Sequence, residues 1–158
     1  MESEEDLGFD PEAVHRHYSA DCFRCAWELI DRTERSPEET DWMLHAVHAA
    51  AWHWLQRTDR NAESESVMYW QLSRAYALAG DASLATHYGE RCLQTSHGLG
   101  PFYVGYAYEA LAQAAQVGGD QARYAQQMAE ARRWLERIPD ADARAMLAAD
   151  LDALETLG

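Results

Sequence analysis

Two ten-residue stretches, LSRAYALAGD at 72–81 and LAQAAQVGGD at 111–120, constrain this chain more than any other feature. Each ends an apolar helical face on Gly-Asp and is followed by a second amphipathic segment, with starts at 72 and 111, 39 residues apart. A unit this short cannot bury its apolar face alone. Repeats with periods of about 20–50 residues therefore stack as helical hairpins, each covering its neighbour.

Helix punctuation extends the pattern to the rest of the chain. Asp10-Pro11-Glu12 supplies an N-cap, a proline at the first helical position and an acid in the first turn. Ser36-Pro37-Glu38-Glu39 is a capping box. Asn61, Asp81, Pro101, Asp120 and Asp140 mark later starts, while Gly80, Gly98 and Gly119 mark stops. The spacing predicts helices near 10–34, 37–57, 62–79, 82–96, 101–117, 121–137 and 140–156. No run alternates with the period of a strand, so the expected class is all-α, about seven helices in antiparallel hairpins stacked as a short solenoid. The expected organisation is an acidic disordered tail over 1–9 and one domain over 10–158. That domain comprises an N-terminal hairpin (10–57), two repeats (62–137) and a capping helix (140–156), whose inner stripe is Met146, Leu147, Leu151 and Leu154.

The repeats resemble the tetratricopeptide repeat (TPR) family. The first unit carries Tyr69, Leu72, Ser73, Tyr76, Gly80-Asp81, Ala85, Tyr88 and Leu93. The second carries Tyr108, Leu111, Ala112, Ala115, Gly119-Asp120 and Ala131. The departures are Cys92 and Tyr124, where the family has alanine, and extra length over 97–102. The chain also resembles bacterial TPR-like proteins with a histidine–tryptophan helix ahead of their repeats, a likeness that implies no activity. The family resemblance implies that first helices line a concave groove, facing it with Val67, Trp70, Arg74 and Leu78, then Tyr106, Glu109, Gln113 and Gln116. The competing expectation is that Trp70 and Tyr106 pack against the N-terminal hairpin while Arg74 and Glu109 form a structural ion pair.

Composition narrows the partners. The formal net charge is −14, and all 13 basic residues are arginine, with only Arg132 and Arg133 adjacent. Counterion release needs clustered cations, so nucleic acid and anionic membranes are not expected partners. Absent lysine beside abundant alanine suggests a GC-rich bacterial source. Three cysteines, Cys22, Cys25 and Cys92, are an odd number in a chain long enough to fold without disulfides. With no signal-peptide pattern in MESEEDLG and no uninterrupted apolar span, the expected location is the cytoplasm.

HAVHAAAWHW at 45–54 concentrates the chemically interesting residue types. On a helical wheel, Met43, Leu44, Val47, Ala50, Ala51, Trp54 and Leu55 form a core stripe, and His45 lies opposite. His48 falls about 60° to one side of His45 and His53 about 80° to the other, so the three do not converge as in H-E-x-x-H. His45 and His48 could share a metal only with a third donor, and burial at the edge of an apolar face explains all three. Cys22-x-x-Cys25 has the spacing of a zinc half-site, with only Cys92 and His17 to complete it, and reads better as small buried thiols.

Catalysis would have to draw on His45, His48, His53, His87, Glu109 and Glu65. The chain carries no Gly-rich phosphate loop, G-x-S-x-G elbow, H-E-x-x-H or paired E-x-x-H motifs of a di-iron site, and the histidine helix lacks the R-x(4–6)-H element of HEPN-type nucleases. No catalytic residue and no cofactor are assigned. The expected function is recognition of a peptide, a partner protein or a second copy through Trp70, Arg74, Tyr106, Glu109 and Gln113. The alternative is a small-molecule or metal-dependent site using His45, His48 and His53, with Trp52 as an aromatic wall.

Overall fold

The glycine-aspartate turns that mark the repeat fold in the same way twice. Gly80 and Gly119 both take positive φ, 82° and 71°, a conformation costly for a residue with a Cβ. The following amides close each turn, Asp81 N–H to the Tyr76 carbonyl at 2.9 Å and Asp120 N–H to the Ala115 carbonyl at 3.0 Å. Each aspartate then caps the next helix, accepting from the backbone of Leu84 at 2.9 Å and Arg123 at 3.0 Å.

The computed structural model describes residues 8–156, so the acidic tail expected over 1–9 lies outside the described residues except for Gly8 and exposed Phe9. Among the described residues there are seven helices and no strand. These are α1 (Pro11–Ile30), α2 (Pro37–Gln56), α3 (Ala62–Leu78), α4 (Ala82–Ser96), α5 (Pro101–Val117), α6 (Gln121–Leu135) and α7 (Ala141–Thr156). No helix among these residues is long and apolar enough to cross a membrane. The chain divides into two compact units, Met1–Arg60 and Asn61–Gly158.

In the first unit, α1 packs on α2, burying Ala26 and Ile30 from one helix and Met43, Val47, Ala50, Ala51 and Trp54 from the other. This is the expected stripe, except that Leu55 at its edge is exposed. The capping box forms with both bonds, Glu39 N–H to Ser36 Oγ at 3.1 Å and Ser36 N–H to Glu39 Oε2 at 2.8 Å. Helix α1 ends at Ile30, four residues short of the expected 34. Arg35 folds back and donates to the carbonyls of Leu29 and Ile30, satisfying acceptors that a longer helix would have bonded internally.

In the second unit, α3 pairs with α4 and α5 with α6, α5 packs on both α3 and α4, and α7 lies against α5 and α6. Small residues permit the close approach. Ser73 donates to the Ala85 carbonyl across the first hairpin, and Tyr88 stacks with Tyr69 and Tyr76. Leu147, Leu151 and Leu154 of α7 close a core containing Ala112, Met128, Ala131 and Ile138, with Tyr124 packed against it. Met146, expected in the inner stripe, is instead 58% exposed. One residue of helix turns the chain by about 100°, which carries Met146 off the face holding Leu147.

Gly89 on α4 is closely surrounded where its side chain is missing. A Cβ there would stand 2.8 Å from Leu111 Cδ2, 3.2 Å from Leu111 Cγ and 3.3 Å from Ser73 Oγ. Replacing glycine with alanine inside a helix ordinarily gains about 1 kcal/mol, whereas overfilling a core costs about 1–3 kcal/mol. Gly89→Ala should therefore lower the urea unfolding midpoint, despite its better helix propensity.

Candidate functional site

The five residues singled out in the repeat segment come together in the second unit. Trp70 and Arg74 lie one turn apart on α3, and Tyr106, Glu109 and Gln113 follow one another along α5. Where α3 packs on α5, Trp70 Nε1 donates to Glu109 Oε2 at 2.8 Å. Arg74 Nη1 donates to Glu109 Oε1 at 3.3 Å and to Gln113 Oε1 at 3.2 Å. The Trp70 and Tyr106 rings meet edge to face at 5.7 Å, and the Arg74 guanidinium lies 5.9 Å from the Trp70 ring centre. Of the remaining groove positions, Gln116 donates to the Leu154 carbonyl at 3.2 Å, Val67 is exposed and Leu78 is half-buried.

Glu109 is fully buried, with both oxygens engaged, while the Arg74 side chain retains 27% exposure. Burial pushes the Glu109 carboxyl up to about 7; Arg74 and the Trp70 N–H oppose that shift, and Asp150 adds to it. Asp150 was not anticipated. It lies on α7, at the edge of the leucine stripe, and accepts from the Tyr106 hydroxyl at 2.8 Å. Burial first, then that bond, raises the Tyr106 phenol. Its only trace in the sequence is its place beside Leu151, on a helix whose other aspartates read as a solvated face.

The histidines divide differently. His53 on α2 meets His15 on α1, Nδ1 to Nδ1 at 2.9 Å. The Trp52 ring lies 5.4 Å from His15 and 5.0 Å from His53, and the Tyr18 ring 5.5 Å from His53. His15 sits far from HAVHAAAWHW in the chain, and nothing within that segment selects it. His45 and His48 are exposed. The proton affinity of His48 is lowered by partial desolvation and by His45. Among the described residues, no group of three or more His, Cys, Asp or Glu side chains is placed to hold a metal ion.

The three cysteines are free thiols. Cys22 and Cys25 are half-buried, and the Cys22 thiol is raised by burial, Asp21 and Cys25. Cys92 is buried against Ser66 and Ser96, with its thiol pushed up to about 11 by burial. Thiols held protonated in this way are poor nucleophiles. No family model matches this chain, and neither a curated protein nor a solved structure matches it.

The raised carboxyl of Glu109 sets a pH dependence. The folded protein holds this proton more tightly than the unfolded chain, whose carboxyl titrates near 4.5. The contribution to stability is therefore complete below that value, is lost as pH rises towards about 7, and levels off above it. The slope is at most about 1.4 kcal/mol per pH unit. Wild type should lose stability relative to Glu109→Gln as pH is raised through this window, measured as the difference in Tm. A difference independent of pH would show that Glu109 does not titrate there.

Proposed function

We propose that this chain is a non-catalytic, TPR-like interaction protein that binds a peptide, a partner protein or a second copy of itself through the face formed by α3 and α5. The observation that carries this reading is the buried carboxylate of Glu109, held by Trp70 and Arg74. It fixes two large side chains, both partly accessible, in one orientation. Aromatic and arginine groups held rigid are effective recognition anchors because little conformational freedom is lost on binding. Arg74 Nε is buried without an acceptor among the described residues, so what this side chain offers to a ligand is the part of it that stays exposed. Exposed Val67, one turn before Trp70, and exposed Leu84 and Val117 add apolar surface within the same unit. Both Glu109 oxygens are already bonded, which suits an anchor better than a proton-transfer group. The free thiols fit a reducing compartment, and the cytoplasm is the proposed location.

A photo-crosslinking residue placed at Val67 tests this reading, with the same residue at exposed Arg133 as the reference. Adducts are expected from position 67 and not from position 133. They should be lost in a Trp70→Phe, Arg74→Gln double variant whose circular dichroism is unchanged. Sedimentation velocity separates a second copy from a different partner. Adducts that persist at wild-type yield in the double variant would remove the α3–α5 face as the binding site.

A further inference from the structure

Tyr103 and Tyr106 stand one turn apart on α5, and each has a carboxylate beside it. Asp150 accepts from the Tyr106 hydroxyl at 2.8 Å, and Glu63, in the first turn of α3, adds to burial in raising the Tyr103 phenol. The half-buried rings form a continuous run. Tyr103 meets Phe102 edge to face at 5.5 Å, Phe102 meets Tyr106 at 5.0 Å, and Tyr106 meets Trp70 at 5.7 Å. Among the described residues, no basic side chain pairs with Glu63 or Asp150. None lies over Phe102, Tyr103 or Tyr106 either, although arginines cover Trp54, Tyr69 and Trp134 at 4.4, 5.1 and 4.8 Å.

We propose that the α3–α5 face docks a basic segment of a different protein, an extended stretch whose arginine or lysine side chains lie against Tyr103 and Tyr106 and pair with Glu63 and Asp150. This inference rests on the recognition role proposed for that face and names the chemistry of its partner. Cations are drawn to aromatic faces as well as to carboxylates, and partial burial strengthens both attractions because water screens them less. Exposed Val67, one turn before Trp70, offers apolar surface to the aliphatic stem of such a side chain. Arg74, the opposing charge, is tied to Glu109 at 3.3 Å and to Gln113 at 3.2 Å. Charge also selects this occupant over a second copy. Each copy carries a formal charge of −14, so two copies repel, whereas a basic segment is attracted.

The test is fluorescence anisotropy of the full-length protein with three labelled peptides of equal length, alternating alanine with arginine, glutamine or glutamate. Working at pH 8 keeps Glu109 ionised and Arg74 paired. The arginine peptide is expected to bind saturably, one per chain, and the other two not to bind. A Glu63→Gln, Asp150→Asn double variant should weaken binding by about tenfold. A Glu90→Gln, Glu136→Gln double variant makes the same change of charge at exposed positions on α4 and at the end of α6, and should leave binding unchanged. Tyr103→Leu, which alters no charge, should weaken it by about threefold. The ranking of the three peptides on wild type stands as evidence even if a variant fails to fold. Equal losses in the two double variants would mean diffuse attraction to an acidic surface and would overturn the inference, as would tight binding of the glutamine or glutamate peptide. Adducts at position 67 from a chain that does not bind the arginine peptide would overturn this inference alone and leave the α3–α5 face as the binding site. A dimer closed by that face, seen by sedimentation velocity, would overturn it too, because the occupant would then be a second copy.

Discussion

Placing the carboxylate of Glu109 out of reach of water on α5 obliges the neighbouring helix to present donors where that carboxylate lands. Trp70 and Arg74 do so from successive turns of α3, each bonding a different oxygen. A slip of α3 by one residue would rotate both donors by about 100° and leave a buried charge unanswered. The buried apolar residues of these two helices are largely alanine and leucine, which tolerate alternative packings. The polar network therefore supplies directional contacts that specify register where the apolar ones leave it weakly defined, and Tyr106 with Asp150 extends that specification to α7.

Most of the fold was legible because its signals are local. An N-cap, a proline at the first turn or a glycine at the stop acts within a few residues, so the starts of α2 to α6 fall where the punctuation places them. The errors arose where a distant or side-on group decided the outcome. Arg35, beyond the end of α1, takes the carbonyls that would have continued the helix. Met146 looked like part of a stripe, yet its rotation relative to Leu147 places it in solvent.

The candidate site was legible to the extent that one helix could be read against the repeat register. Trp70, Arg74, Glu109 and Gln113 share such a register, and they converge. Asp150 and His15 contribute through helix pairings that are silent in any single stretch of sequence. The segment HAVHAAAWHW illustrates the same limit. Its wheel separated His53 from His45 and His48, but nothing within it could reveal that the partner of His53 lies on the preceding helix.

The environment of Cys92 gives the protein a chemical clock for its own opening. Its sulfur lies between Ser66 of α3 and Ser96 of its own helix, and donates to the Ser66 carbonyl at 3.3 Å. With the thiol held protonated up to about 11 and out of contact with solvent, a thiol reagent can reach it only when α3 and α4 separate. Cys22 and Cys25, half-buried on α1, would react without waiting for that event. The slow phase of labelling thus counts excursions in which the first repeat hairpin parts, resolved in time from the accessible thiols of the other unit.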